Sequence, residues 1–510
     1  MKPLVFQHHE MIKHVIAMQE MLTISRDWKP SGKRSATILL VLLLFLSAPS
    51  ADSTVFADLT QQSHQSVRPG VSVKTEDRNI TDSETLLLEY MLGEQRSVLW
   101  AITGDSVKLY ELPERSVIEQ AAQRVSELLT ARLPRDNETN LEAFRRAART
   151  RSQFPEAAEN LSQLILGPVA NDLGRKRLLI VADGGLHFIP FGVLPIPRPI
   201  TQINDRRKGR TPGQSGGANR KDQPSTALIR QYNPLIVNHE IVNLPSASVL
   251  GMLRRRRQTR PAAPKLLALL ADPVFEKDDP RLSMESARTA ARNIPEALNL
   301  RSATRDSTIP GISARLGRLR FARQEADQIL ASLSSAERAA SLSAFDFDAS
   351  QDLALSPELG QYRFLHFATH GLLDNERPDL SGIALSLLDR KGQDQDGFLR
   401  LVEIYNLKLA AELVTLSACE TGLGKQVSGE GLVGLTHGFL HAGASRVLVS
   451  LWKVDDRASA RLMGRIYQGI FRERLSPATA LRKAQLSFRQ DPALSDPFFW
   501  AAFVLHGEPR

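Results

Sequence analysis

The chain has 510 residues, 42% of them hydrophobic and 24% charged. That balance excludes a disordered or fibrous protein and can fill roughly three ordinary domains, or two with long insertions. The formal net charge is +9, from 65 Lys and Arg against 56 Asp and Glu. The one dense basic run, Arg254-Arg255-Arg256-Arg257, follows Leu250 and Leu253 as the last turns of a helix would, where cations suit the macrodipole. It has no interleaved aromatics, so no nucleic-acid partner is expected. A single cysteine excludes an internal disulfide framework and leaves that thiol as either packing or chemistry.

In chain order, Lys33-Arg34 precede the apolar run Ile38 to Leu46, and small residues follow through Ser47-Ala48-Pro49-Ser50-Ala51 and Val55-Phe56-Ala57. This order is that of an export signal cut after Ser50 or Ala57. Met21 would open an n-region of ordinary size. The apolar run is shorter than the ~20 residues that span a bilayer, so no stable membrane span is expected after cleavage. Residues 1–57 are therefore read as a targeting segment and 58–82 as a linker. The expected location is periplasmic or secreted, the alternative being the inner membrane through an uncleaved signal anchor.

Residues 83–170 read as a small α/β region. Leu86 to Leu92, Ser97 to Thr103 and Val107 to Tyr110 are strand-like, with Gly93 to Arg96 as a hairpin turn. A helical stretch from about Ser116 to Leu166 carries Val117, Ala121, Val125, Leu128 and Leu129 on one face. Residues 171–510 then alternate apolar runs with helical patterns. The runs are Leu178 to Ala182, Leu266 to Leu270, the run ending at His370, the run ending at Cys419, and Arg446 to Leu451; the helices include Arg323 to Ser332 and Gly431 to Ala442. Such alternation predicts an α/β fold with a mostly parallel sheet covered by helices on both faces. Two interruptions, about 199–226 and 278–311, read as mobile surface loops. No tetratricopeptide period is present.

Two of these runs end in chemistry. Arg363-Phe364-Leu365-His366-Phe367-Ala368-Thr369-His370-Gly371 and Leu413-Val414-Thr415-Leu416-Ser417-Ala418-Cys419-Glu420-Thr421-Gly422 each place a reactive group where a strand gives way to a Gly-containing loop. Open α/β sheets build their sites at such strand ends. The histidine precedes the cysteine by 49 positions, the order and separation used by caspase-type cysteine proteases. His366 and His370, and likewise His437 and His441, are four apart, but the first pair lies in a strand, where four residues span about 13 Å. The second pair has no third ligand in view, so neither metal nor cofactor is expected.

The segments Leu179 to Phe191, Leu244 to Ser248, His366 to Gly371, Ser417 to Gly422, Gly429 to Leu432, Ser450 to Asp456 and Phe499 to Phe503 together resemble, in this order, the CHAT-domain peptidases, relatives of caspases and separase. The resemblance implies a caspase-like fold with His370 and Cys419 as a catalytic dyad and the backbone N–H groups of Gly371 and Cys419 as the oxyanion hole. It also implies a protein substrate and an activating protein partner. Separase-like relatives read a basic P1 residue with an acid in a loop resembling Leu451 to Asp456, which points to Asp456, with Asp455 as the near alternative. The competing role for these two aspartates is to cap a helix beginning near Arg457. The expected function is that of a cysteine endopeptidase; the alternative is a catalytically silent interaction module on the same fold.

Overall fold

The computed structural model describes residues 81–133, 138–198, 232–282, 316–372, 381–417, 419–420 and 430–509. The targeting segment, the 199–226 loop and most of the 278–311 loop lie outside the described residues. No described helix is long and apolar enough to cross a membrane.

The strands in chain order are β1 (Thr85–Met91), β2 (Ser97–Ile102), β3 (Val107–Leu112), β4 (Arg177–Val181), β5 (Ile241–Asn243), β6 (Lys265–Pro273), β7 (Leu342–Asp346), β8 (Tyr362–Ala368), β9 (His370–Leu372), β10 (Gly382–Ala384), β11 (Phe398–Arg400), β12 (Leu413–Leu416), β13 (Cys419–Glu420), β14 (Arg446–Ser450) and β15 (Phe503–Gly507). Eleven of them form one sheet in the order β3-β2-β1-β4-β5-β15-β14-β12-β8-β6-β7; β11-β10-β9-β13 form a smaller second sheet. The described helices of ten residues or more are α1 (Arg115–Leu129), α2 (Asn140–Leu166), α3 (Ala247–Thr259), α4 (Ala322–Ala331), α5 (Glu430–Ala442), α6 (Asp456–Phe471) and α7 (Pro477–Gln490).

The central strands are buried at successive positions, including all of β12 and β14. In a strand, neighbouring side chains point to opposite faces, so burial of both parities means that both faces are covered. On β8 the two coverings can be named. Phe364 stacks edge-on against Phe471 of α6, with ring centroids 5.1 Å apart, whereas Phe367, of the other parity, meets Phe439 of α5 at 6.0 Å. The expected α/β sheet with helices on both faces is what these residues build.

Strand direction divides the large sheet. β14, β12, β8, β6 and β7 run parallel to one another, as do β15, β5, β4 and β1. The two blocks meet antiparallel along β14 and β15 through five residue pairs, from Arg446↔Gly507 to Ser450↔Phe503. Their carboxyl ends therefore face opposite ways, and β8 and β12, the strands that lead to His370 and Cys419, belong to one block. The N-terminal hairpins join the same sheet, because β1 pairs in parallel with β4 over Thr85↔Arg177 to Glu89↔Val181.

Local signals set the helix ends. Thr139 and Glu142 form a capping box at α2, and Ser246 caps α3. The basic run closes α3 as expected, and its charges have partners: Arg254 and Arg257, together with Arg446, surround the buried Glu508 carboxylate at 2.9–3.5 Å. Between α5 and β14 the chain turns at Gly443, whose φ of 119° and whose 2.3 Å clearance between a built Cβ and the Leu409 carbonyl both demand glycine.

Candidate active site

β8 carries its largely aromatic run into the core, and at its end Thr369 turns the chain into β9, which begins at His370. The Thr369 hydroxyl donates to the Ala384 carbonyl of β10 and so locks that turn. β12 makes the same exit one strand over: Thr415 lies beside His366 and Leu416 beside Phe367. Both chains then enter the small sheet, where β13 pairs in parallel with β9 and Cys419 is the direct neighbour of His370. Adjacent strand positions lie about 4.8 Å apart, so the backbone sets the two candidate catalytic residues side by side. Gly371, next in β9, lies between Ile383 of β10 and Glu420 of β13.

The His370 ring is buried, with 6% of the residue exposed. Its Nε2 lies 2.7 Å from the Gly317 carbonyl, and its face packs on Phe275 at a centroid distance of 5.2 Å. A carbonyl only accepts, so Nε2 carries the hydrogen and Nδ1 the lone pair. Nδ1 has no hydrogen-bond partner among the described residues. Burial above all holds the imidazole below its ordinary pKa; the Gly317 carbonyl opposes this and the Lys453 charge adds to it. The ring is thus a neutral base near pH 7 whose basic nitrogen is uncommitted among the described residues.

Gly317 belongs to a short segment that joins His370 to Asp456. Four residues after the Gly317 carbonyl, the Phe321 N–H donates to Asp456 Oδ2 at 3.0 Å. Four residues reach at most about 14 Å, so the base and this carboxylate border one locality. The segment is pinned by Arg318, which forks onto both oxygens of Asp272 at 2.8 and 2.6 Å. Arg281 completes the anchor through Asp279, Asp346 and the Asp272 carbonyl. Two-point Arg–carboxylate contacts of this kind fix geometry as well as charge. Sequence reading missed Asp272, Arg281 and Arg318. The only local signal was Asp272-Pro273 closing a strand, and the arginines lie in or beside a stretch read as irregular loop.

Of the two aspartates, Asp455 takes the capping role. Asp455 is the N-cap of α6, its carboxylate accepting from the Ala458 N–H at 2.9 Å. Asp456 takes the Phe321 amide instead, and burial first, then the charges of Glu325 and Asp455, raises its pKa against the pull of that hydrogen bond and of Lys453.

Beneath the dyad lies a buried polar chain. His366 Nε2 meets Glu325 Oε1 of α4 at 2.7 Å, His366 Nδ1 meets the Tyr467 hydroxyl of α6 at 3.1 Å, and Tyr467 donates to Thr415 Oγ1 at 3.0 Å. Glu325, His366 and Thr415 are no more than 2% exposed. These bonds tie β8 and β12, which lead to His370 and Cys419, to α4 and α6. His366, four residues before His370, thus has both ring nitrogens committed to interior partners.

Curated relatives match short stretches. The chain is 36% identical over 109 residues to tetratricopeptide repeat protein 28 of Mus musculus and 34% identical over 113 residues to its Homo sapiens counterpart. These stretches are 21% and 22% of this chain and only 4% of either relative, so the chain corresponds to a small part of them. Among solved structures, two of the Saccharomyces cerevisiae separase–securin complex align over 83% of this chain and 30% of theirs, at 11% and 12% identity and TM-scores of 0.44 and 0.43. The model of the CHAT domain matches residues 155–508, a span that takes in both His370 and Cys419. With more than half its length matched, and with the strand order of the sheet beneath that match, the chain belongs to the CHAT-domain family.

Proposed function

We propose that this chain is a cysteine endopeptidase in which Cys419 is the nucleophile and His370 the base. The observation that carries the reading is the register of β9 and β13, which sets Cys419 beside a buried neutral histidine whose Nδ1 is uncommitted. In this reading His370 Nδ1 removes the Cys419 thiol proton, and the thiolate sulfur bonds to the scissile carbonyl carbon. Charge moves to the carbonyl oxygen, which the backbone at Gly371 and Cys419 receives. The C–N bond then breaks, the amine leaves with the proton held on Nδ1, and water hydrolyses the thioester. The Gly317 carbonyl orients the ring throughout and stabilises the imidazolium that forms.

The reading extends to specificity: Asp456, which accepts the Phe321 amide of the segment that also holds His370, receives an Arg or Lys side chain at P1. The desolvated carboxylate rewards a cation there, and an apolar P1 would leave it poorly paired. We also infer export, from the order of residues 33–57; N-terminal sequencing should find the mature chain starting near Ala51 or Asp58, and recovery of Met1 or Met21 on a cytoplasmic chain would reject it.

The deciding experiment is labelling of the full chain with a thiol-reactive peptide electrophile carrying P1 Arg, alongside cleavage of a peptide library. Cys419 should be modified and cleavage should fall to background in both Cys419→Ala and His370→Ala. Absence of labelling and of cleavage in the wild-type chain would return it to a silent interaction module.

A further inference from the structure

Helix α6 presents two unlike faces. Leu462, Met463, Ile466, Tyr467, Ile470 and Phe471 are buried against the sheet and α4. On another face stand Arg461, Arg465, Gln468 and Arg472, spaced i, i+4, i+7 and i+11, which keeps them within about 60° around the axis and along about 16 Å of it. With Gln328, Ala331 and Ser332 of the neighbouring α4 and with Gly464, these residues line an open cleft of about 420 Å³. Gly464 lets the helices approach closely: a Cβ there would stand 2.5 Å from Gln328 Oε1.

The cleft wall holds three guanidinium groups and no carboxylate. Their fixed partners leave most of that charge uncompensated. Arg465 donates to the Ser487 hydroxyl and lies 5.2 Å over the Phe488 ring. Arg472 donates to the Ala331 and Leu333 carbonyls at 3.3 and 3.0 Å, which orients it without adding a negative ion. Only Arg461 meets a carboxylate, Asp491, at 3.2 Å, with both side chains partly exposed. Of the other nearby acids, Asp327 faces Arg323 and Glu473 holds Lys483, while Glu337 caps its helix at Ser334, pairs with Arg474 and reaches Arg472 only as a weaker, longer-range charge.

We propose that the cleft between α4 and α6 is a docking groove for an acidic peptide segment of a protein partner. Preoriented guanidiniums match carboxylates in two-point contacts, and about 16 Å accommodates roughly five residues of extended chain at about 3.3 Å each. A guanidinium-lined wall only about 16 Å long in a cleft of about 420 Å³ suits a short peptide that ends within it better than a long polyanion such as a nucleic acid or an extended anionic membrane surface. The groove involves none of the residues assigned to chemistry, so its occupancy is independent of whether the chain cleaves anything.

Fluorescence anisotropy with the full chain tests this, using a labelled short peptide of alternating glutamates and its glutamine counterpart. The glutamate peptide should bind and the glutamine peptide should not, with affinity falling as salt is added. Arg461→Ala combined with Arg465→Ala should weaken binding about ten-fold or more, and Arg465→Lys much less. Gln328→Glu, an isosteric change that sets a competing carboxylate in the groove, should weaken it similarly with an unchanged melting temperature, and it decides the matter if the double variant fails to fold. Equal binding of the two peptides, binding undiminished in Gln328→Glu, or tighter arginine-dependent binding of single-stranded RNA or of phosphatidylserine vesicles would overturn the proposal.

Discussion

His370 illustrates how one residue acquires its character from its contacts. In the free state an imidazole titrates near pH 6.5. Here burial keeps it neutral to lower pH, so the acid limb of kcat/KM for peptide cleavage should lie below 6.5, and a limb above that value would refute the neutral-base assignment. Asp456 behaves oppositely. Its raised pKa means that lowering pH neutralises it earlier than an ordinary aspartate, so KM for a P1-Arg peptide should rise on acidification while that for a P1-Leu peptide holds flat. Asp456→Asn should abolish this difference and lower cleavage after Arg by about ten-fold or more. A wild-type preference for Leu or Asp at P1 would end the specificity reading.

At the scale of elements, stability and chemistry meet where α4 and α6 abut β8 and β12. Glu325→Ala would leave the buried His366 Nε2 without its partner, and losses of about 1–3 kcal/mol are typical when a buried polar group is left unsatisfied. Chemical denaturation should show that loss, and a change within a few tenths of a kcal/mol would mean that the polar chain does not hold these elements together. Asp455→Ala should cost about 1 kcal/mol through the lost cap and leave P1 preference untouched. The pair Asp455 and Asp456 is instructive because the sequence alone supports both roles for either residue. An Asp before a helical pattern announces a cap, but only the packing of α4 beside α6 brings the Phe321 amide to Asp456 and leaves the cap to Asp455.

For the whole molecule, the sheet crosses the boundaries that sequence patterns suggest. The CHAT match starts at residue 155, yet β4 is paired along one edge by β1, and Leu178, Leu179 and Ile180 are fully buried there. A chain starting at residue 155 would expose that edge and the apolar surface beside it. It should aggregate or fail to fold where a chain starting near residue 81 stays soluble; equal melting temperatures of the two would show that the hairpins are dispensable. Acid should also weaken the fold as a whole. His239 and His370 are both held below their ordinary pKa, chiefly by burial, so the unfolded chain binds more protons below about pH 6.5. Stability should be full above that pH and decline as pH falls through it, with His239→Gln shallower than wild type.

What was legible from the sequence is what depends on short-range pattern. Aliphatic runs ending in Gly-containing loops, helical periods between them, and the motifs around His370 and Cys419 specify an α/β sheet and its family, because burial on both faces leaves its mark residue by residue along a strand. β5, β7, β10, β11 and β15 escaped notice: β5, β10 and β11 have three residues each, and polar residues interrupt β7 and the end of β15. The register that sets Cys419 beside His370, the opposed direction of the two sheet blocks, the Gly317 carbonyl on the imidazole, the Asp272–Arg318 anchor and the arginine-lined cleft were decided by the tertiary structure alone. Each depends on partners dozens of residues apart or on a strand's choice of neighbour. No local pattern encodes such a choice, since hydrogen bonds and ion pairs form with whatever the packed chain brings within about 3 Å.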